Sequence, residues 1–84
     1  MIKRYKSALI TGAASGIGYS ILKKLSKHKL KIYALDKNKT KLKKICNETG
    51  AYPLNIDITD TDLLYSKLSK LNIDILVSNA GIGN

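Results

Sequence analysis

The amino-acid sequence predicts an α/β fold built around a parallel β-sheet. Short apolar runs of β-prone residues alternate with longer segments in which apolar residues recur every three or four positions. The connections between them are short, and no low-complexity linker or internal repeat interrupts the alternation. Strands and helices that alternate in this way are typical of parallel sheets with right-handed crossovers.

The first strand and the first helix are predicted from a change of pattern at a glycine. Ser7–Thr11 (SALIT) is a β-prone run that stops at Gly12, and we expect it to be a buried strand. An amphipathic helix follows from Ile17, with lysines on its outer face. The predicted apolar face of this helix consists of Ile17, Ile21, Leu22 and Leu25.

The middle of the chain repeats this strand and helix unit. Lys31–Leu35 (KIYAL) is predicted as the second strand, and Asp36 closes it. A helix is expected from about Lys39 to Asn47, ending near Gly50. The predicted inward side chains of this helix are Leu42, Ile45 and Cys46.

The last part of the chain supplies a third strand, a third helix and a fourth strand. Residues 51–57 (AYPLNID) are predicted as the third strand, because Pro53 is tolerated at a strand start or a sheet edge. Asp60 stands where a helix N-cap belongs. Ile73–Val77 (IDILV) is predicted as the fourth strand. The apolar stripe of the intervening helix is Leu64, Leu68 and Leu71.

The complete pattern is βαβαβαβ. Right-handed crossovers place the first two helices on one face of the sheet and the third on the other, which gives the strand order 3-2-1-4. This is part of a Rossmann-type, doubly wound parallel sheet. In open sheets of this kind, ligands bind where the strand order reverses, here between strands one and four. The segment TGAASGIG (11–18) is expected to lie there.

Three glycines between the first strand and the first helix predict a phosphate-binding loop. Gly12 allows a sharp turn, Gly16 lets a pyrophosphate approach the backbone, and Gly18 lets the helix pack closely on the sheet. Free backbone N–H groups and the positive end of the helix dipole favour an anion at this position. A Walker-type loop would need glycine and lysine where Ile17 and Gly18 stand, so that class of site is excluded.

Asp36 provides a second indication of a dinucleotide site. It follows the second strand, eighteen residues after Gly18, where an acid can accept hydrogen bonds from adenosine ribose hydroxyls and repel a 2′-phosphate. This position favours NAD over NADP. Two alternatives stay open at this point: Lys37 could neutralise a 2′-phosphate, and Asp36 could be an ordinary turn residue at a strand end.

The ordered motifs of the sequence resemble those of the short-chain dehydrogenase/reductase family over essentially all 84 residues. The segment NIDITD (55–60) resembles the family's acid at the end of strand three, and DILVSNAG (74–81) resembles its Asn-Asn-Ala-Gly motif. Ser78 replaces the first asparagine of that motif. The family's cofactor loop, Thr-Gly-x-x-x-Gly-x-Gly, is matched by Thr11, Gly12, Gly16 and Gly18. The Asn-Ala-Gly part is matched by Asn79, Ala80 and Gly81.

The resemblance implies a nicotinamide dinucleotide cofactor, with NAD expected and NADP as the alternative. By this resemblance Ser15, Ile17 and the backbone around Gly16 would face the pyrophosphate and nicotinamide, and Asp36 would face the ribose. The expected adenine contacts are Asp57 and Ile58. In an intact parent enzyme, the reaction would be hydride transfer between the cofactor and an alcohol or carbonyl.

The resemblance also implies a catalytic serine and a Tyr-x-x-x-Lys pair well downstream of the Asn-Ala-Gly motif. The sequence continues for three residues after Gly81. We therefore expect residues 1–84 to be the N-terminal dinucleotide-binding portion, with the catalytic portion absent, and to be inactive alone. The pairs Tyr19–Lys23 and Tyr33–Lys37 have the right spacing, but they fall on the first helix and the second strand, and we expect neither to be catalytic.

Two other classes of function are open on the sequence. The first is a stand-alone nucleotide-binding module that acts with a separate partner chain. The second is a basic nucleic-acid binder, since the formal charge is +9 and thirteen of fifteen basic residues lie between Lys3 and Lys44. Nearly all of these are lysines at helical spacing without interleaved aromatic residues, which favours a solvated surface over a nucleic-acid interface.

Composition sets the remaining expectations. No signal peptide and no apolar run of about 20 residues is present, so we expect a cytoplasmic protein with no membrane-spanning segment. The single Cys46 and the absence of a histidine cluster indicate no metal site. A parallel sheet with a free edge and one thinly covered face favours a homo-oligomer or a partner chain.

Overall fold

In a computed structural model, which describes residues 6–79, the chain forms four strands and three helices in strict alternation. The strands are β1 (Ser7–Thr11), β2 (Lys31–Leu35), β3 (Tyr52–Leu54) and β4 (Ile75–Val77). The helices are α1 (Gly16–Leu25), α2 (Lys39–Thr49) and α3 (Thr61–Leu68). The predicted element order is confirmed.

All strand pairs are parallel, and the sheet order is β3-β2-β1-β4. The predicted Rossmann-type order is therefore confirmed. In the β1 and β2 pair, Ser7 lies opposite Lys31 and Thr11 opposite Leu35. β4 pairs with β1 over three residues, with Leu76 opposite Leu9. The carboxyl ends of β1, β2 and β4 consequently meet at one edge of the sheet, where a loop after β1 can reach all three.

Alternate residues of β1 supply two separate cores, one on each face of the sheet. Ile10 packs with Leu22 of α1 and Leu42 of α2, which places both helices on one face. Leu9 points the other way and packs with Leu64 of α3. This division follows from the two-residue period of a strand. The face under α3 is more thinly covered, since no residue of α3 is fully buried.

The helix α2 ends near Gly50, as expected: its last residue is Thr49, and Gly50 follows with a left-handed φ of 79° that glycine adopts without strain. The two outer strands are shorter than predicted. β3 is limited to Tyr52–Leu54, a smaller part of the predicted segment. β4 begins at Ile75 rather than Ile73; just before it, the Asp74 N–H donates to the Ser7 carbonyl at 3.2 Å, and the Asp74 carboxylate accepts from the Lys6 and Ser7 N–H groups.

Two apolar side chains lie where the helical pattern did not place them. Ile17 was expected on the apolar face of α1, but it stands in the first turn above the loop and is 66% exposed. Leu71 was expected in the stripe of α3, but the helix ends at Leu68 and Leu71 lies half-buried in the following turn. Within residues 6–79, no helix is both long and apolar enough to cross a membrane.

Candidate functional site

The candidate site is built on the loop of residues 12–15, which leaves β1 and enters α1. Gly12 has a φ of 63°, a left-handed conformation that would strain other residues. This confirms the predicted sharp turn at Gly12. The loop is fastened to the next strand by a hydrogen bond from the Ala13 N–H to the Leu35 carbonyl, at 3.1 Å.

Gly18 is required by contact with this loop. A Cβ atom at position 18 would lie 2.1 Å from the Gly12 carbonyl oxygen and 3.0 Å from the Ala13 Cα atom. The expected reason for this glycine was packing of the helix against the sheet. The structure shows instead that the first turn of α1 sits directly on the loop backbone, so no side chain fits between them.

Gly16 has no such packing reason. A Cβ atom at position 16 would meet nothing within 4 Å in the described chain, so its missing side chain leaves open space at the head of α1. Among residues 6–79, the Gly16 and Ile17 N–H groups have no hydrogen-bond acceptor in the protein. Two free N–H groups at the positive end of a helix dipole form a binding position for an anion.

Ser15 holds the head of the helix in place. Its hydroxyl oxygen accepts a hydrogen bond from the Gly18 N–H at 3.2 Å, which makes it the N-cap, and the hydroxyl donates to the Gly12 carbonyl at 2.7 Å. The Asn79 side-chain amide donates to the Ser15 hydroxyl oxygen at 2.8 Å and to the Gly12 carbonyl at 3.2 Å. Residues from the end of β4 and the glycine loop therefore form one hydrogen-bonded unit.

Thr11 connects the same strand ends through its hydroxyl. The hydroxyl oxygen accepts from the Asn79 N–H at 2.9 Å, and the hydroxyl donates to the Val77 carbonyl at 3.4 Å. Thr11 itself is buried. Four of the predicted site residues, Thr11, Gly12, Ser15 and Asn79, are thus linked through the hydrogen bonds of Asn79.

Asp36 stands beside the loop, at the end of β2. One carboxylate oxygen accepts from the Ala14 N–H at 3.0 Å, and the other accepts from the Asn38 N–H at 2.8 Å. The bond from Asn38 is what an ordinary turn residue at a strand end would make, as the sequence analysis left open. The bond from Ala14 places the carboxylate against the glycine loop. Asp36 is half-buried, so part of the carboxylate still faces solvent at the carboxyl edge of the sheet.

Asn55 is a site residue that the sequence analysis missed. Its side-chain amide donates to the Asp36 carbonyl at 3.0 Å and to the Lys37 carbonyl at 3.1 Å. These bonds fix the turn that carries the Asp36 side chain. The sequence signal was its position immediately after β3, since β3 lies next to β2 and the ends of the two strands are therefore adjacent.

Asp57 and Ile58 lie in the loop between β3 and α3, and not at the strand end where Asp57 was expected. β3 ends at Leu54, three residues earlier, which leaves Asp57 exposed and Ile58 packed against the core under α3. The Thr59 N–H and hydroxyl donate to one Asp57 oxygen at 2.9 and 2.8 Å. The pKa of the Asp57 carboxyl lies below its ordinary value. The largest cause is the hydrogen bond from the Thr59 N–H; the bond from the Thr59 hydroxyl and the charge of Lys37 also lower it.

Tyr19 and Tyr33, the tyrosines of the two spaced pairs, each have a partner outside their own pair. The Tyr19 hydroxyl donates to the Glu48 carboxylate, and this hydrogen bond raises the pKa of the tyrosine. The ring of Tyr33 lies against Tyr52, with centroids 5.7 Å apart. Ala80 and Gly81, which the sequence analysis assigned to the site, lie outside the described residues. The described part of the chain contains no group of three or more potential metal-ligating side chains.

The family is decided by comparison with known proteins. A family model for short chain dehydrogenases matches residues 6–84. The chain belongs to the short-chain dehydrogenase/reductase family. The chain is 37% identical over 81 residues to a short-chain type dehydrogenase/reductase of Sinorhizobium fredii, covering 96% of itself and 33% of that protein. It is 39% identical over 80 residues to a 3-oxoacyl-[acyl-carrier-protein] reductase of Rickettsia prowazekii, covering 92% of itself and 33% of that protein.

Solved structures of the same family match the fold. BdcA in complex with NADPH superposes with a TM-score of 0.84 at 33% identity, over 94% of this chain and 33% of BdcA. A 3-ketoacyl-(acyl-carrier-protein) reductase of Brucella melitensis, complexed with NADH, gives a TM-score of 0.72 at 34% identity, over 94% of this chain and 35% of that reductase. The chain therefore spans about a third of the length of the relatives it matches.

Proposed function

We propose that this chain is the nicotinamide-dinucleotide-binding segment of a short-chain dehydrogenase/reductase-type oxidoreductase. The observation that carries the proposal is the open position at the head of α1, where Gly16 has nothing within 4 Å and two N–H groups lack an acceptor among the described residues. A pyrophosphate supplies acceptor oxygens and negative charge, which is what this position lacks. The NADPH and NADH complexes of its structural relatives support the same class of ligand.

Four groups of residues would hold the cofactor. The backbone of Gly16 and Ile17 would bind the pyrophosphate, and the Asp36 carboxylate would accept from the adenosine ribose hydroxyls. Asp57 and Ile58 would lie on the adenine side. Asn79 would position the loop through its two side-chain bonds. Ala80 and Gly81, which lie outside the described residues, are proposed as further cofactor contacts.

The charge at Asp36 supports a preference for NAD over NADP. Its carboxylate stands against the loop through the Ala14 N–H, so a 2′-phosphate on the ribose would meet negative charge. Lys37 is exposed, and its positive charge lowers the pKa of the Asp57 carboxyl. We propose NAD as the cofactor on this ground.

When bound, the nicotinamide supplies hydride transfer with an alcohol or carbonyl substrate, and the protein positions it. We propose that the 84 residues bind the cofactor without turning over substrate. Support comes from Tyr19, whose hydroxyl is bonded to Glu48 and has a raised pKa, the opposite of an activated catalytic tyrosine. Assay of the purified chain with NADH and a panel of ketones tests this, and measurable NADH oxidation would contradict it.

The edge strand β4 supports a further part of the proposal, that the chain functions with a second copy or a partner chain. Leu76 lies beside Leu9 on the face under α3 and is 63% exposed. An uncovered apolar residue on an edge strand favours association. Sedimentation of the chain and of Leu76→Ser tests this: association that weakens in the variant supports it, and a monomer at all concentrations contradicts it.

Titration of the 84-residue chain with NADH tests the cofactor site itself. Gly16→Ala adds a methyl group to the open position, and we expect NADH to bind about tenfold more weakly with the free energy of unfolding hardly changed. Gly50→Ala is the control, because it also changes a glycine to alanine, but at the carboxyl end of α2 and away from the loop. It should lower the free energy of unfolding without weakening the binding of NADH. Failure of the parent chain to bind NADH, or equal binding by Gly16→Ala, would overturn the proposal.

A further inference from the structure

The amino-terminal edge of the sheet, opposite the glycine loop, contains a cavity of about 870 Å³. This amino-end cavity is bounded by the first residues of β1 and β2 and by residues 70–74 before β4. Cavities of this size are in the range of small-molecule sites. Neither the cofactor proposal nor any residue assigned to it involves this end of the molecule.

The charge of the amino-end cavity is predominantly positive. Lys6, Lys31 and Lys70 line it, and Asp74 is its one acidic side chain among the described residues. One oxygen of Asp74 already accepts from the Lys6 and Ser7 N–H groups, at 2.7 and 3.1 Å. Within residues 6–79, none of the three lysines has an ion-pair partner. The cavity therefore offers three cationic donors against one carboxylate.

Aromatic rings stand next to these cations. Tyr33 lines the cavity and is half-buried, and its ring centroid is 5.7 Å from that of Tyr52, which is 52% exposed. The Lys31 ammonium lies 5.6 Å from the Tyr52 centroid. A planar ring that enters the cavity could thus pack on tyrosine while an anionic group bonded to it reaches the lysines.

We propose that the amino-end cavity binds an aromatic phosphate of the nucleoside monophosphate class. The phosphate is held by Lys31 and Lys70, and the base packs against Tyr33. An acidic peptide would satisfy the lysines but would leave the paired tyrosines without a planar partner, so the combination favours the nucleotide. Because the cavity and the glycine loop lie at opposite ends of the strands, this binding is independent of the dinucleotide.

Nuclear magnetic resonance of the ¹⁵N-labelled 84-residue chain, titrated with uridine monophosphate, tests the proposal. Its base differs from the adenine of the dinucleotide, which separates the two sites. We expect amide signals of Lys31, Tyr33 and Lys70 to shift, while those of Gly16 and Ile17 stay in place. Uridine and inorganic phosphate should each bind at least about fivefold more weakly than the nucleotide, because each retains one half of the contacts.

Substitutions locate the binding energy. Lys31→Gln and Lys70→Gln should each weaken uridine monophosphate by about fivefold, the upper end for an exposed charge pair. Tyr33→Leu should weaken it at least as much while keeping an apolar side chain against the core under α3. Lys44→Gln, the same charge change on α2, is the control and should bind as the parent does.

Four results would overturn the proposal. The first is a set of signal shifts centred on Gly16 and Ile17, and the second is that Lys44→Gln weakens the binding of uridine monophosphate as much as the cavity substitutions do. The third is that inorganic phosphate binds as tightly as the nucleotide. The fourth is a spectrum without dispersed signals, since a chain without a folded sheet has no such cavity. The first three results would leave the dinucleotide proposal intact, and only the fourth, an unfolded chain, would remove both sites.

Discussion

The first turn of α1 rests so closely on the glycine loop that a Cβ atom on Gly18 would overlap the Gly12 carbonyl oxygen, 2.1 Å away. The carbonyl cannot move aside freely, because it also accepts hydrogen bonds from the Ser15 N–H, the Ser15 hydroxyl and the Asn79 amide. Gly18 is thus a structural requirement of the loop, and Gly16 is free to serve a ligand.

The first prediction separates these two glycines by their effect on stability. Gly18→Ala should lower the free energy of unfolding by about 1–3 kcal/mol, as overpacking does, measured by urea unfolding. Gly16→Ala should stay within about 1 kcal/mol of the parent, because alanine is the better helix former and meets nothing at this position. Equal destabilisation by the two substitutions would contradict the geometry.

The second prediction concerns the choice between the two dinucleotides. Asp36→Asn removes the negative charge while an amide oxygen can still accept from the Ala14 or Asn38 N–H. We expect the ratio of the NADPH and NADH dissociation constants to fall by about tenfold, measured by separate titrations. Asp62→Asn, the same charge change at an exposed position of α3, should leave the ratio unchanged. An unchanged ratio in Asp36→Asn would assign the residue to the turn alone.

The third prediction concerns the titration of Asp57. Its pKa lies below the ordinary value, so the contribution of its hydrogen bonds to stability is present above the unfolded-state pKa and is lost as the pH falls through the folded-state pKa. Carboxyl ¹³C titration should show this low midpoint. Thr59→Ala should raise it only in part, because the larger cause, the backbone N–H bond, remains. A midpoint unaffected by Thr59→Ala would contradict this; Thr40→Ala on α2 is the control.

The fourth prediction uses Cys46 as a probe of the folded chain. This thiol is buried between α2 and the sheet, and burial raises its pKa, so little thiolate is available to react. Reaction with a disulfide reagent should be on the order of 100-fold slower in buffer than in denaturing urea, because only opened molecules expose the core. Ser20→Cys in a Cys46→Ala background places the thiol on the exposed side of α1 and should react fast in both.

The element order could be predicted because each strand and each helix has its own local pattern of apolar residues. The sheet order then followed from right-handed crossovers. Ser7–Thr11 and Lys31–Leu35 were correct to the residue, since a glycine and an aspartate end them. The end of α2 near Gly50 was also predictable, because a glycine that follows a helical pattern favours the left-handed cap that the structure shows. The bonds between Asp74 and β1 could not be predicted, because they join residues 67 positions apart in the sequence.

Within the candidate site, the residue types were predictable and the partnerships were not. The glycine spacing indicated the loop, but the reason for Gly18 was a carbonyl of the loop itself, which spacing cannot reveal. Asn55 was missed because its role is to hold two backbone carbonyls of a neighbouring turn, and only the adjacency of β2 and β3 brings it there. Binding of the dinucleotide by these residues stays a prediction.

The bonds from Asn79 to the loop also determine when the loop can take its shape. They join residues 64 and 67 positions apart, so the ends of the described chain must meet before the Gly12 carbonyl and the Ser15 hydroxyl have all their donors. Contacts of such separation carry the entropy of closing a long segment and form late. During synthesis on the ribosome, a chain that has not yet emerged through Asn79 contains the glycines of the loop but lacks the hydrogen bonds from Asn79 that hold the loop in place.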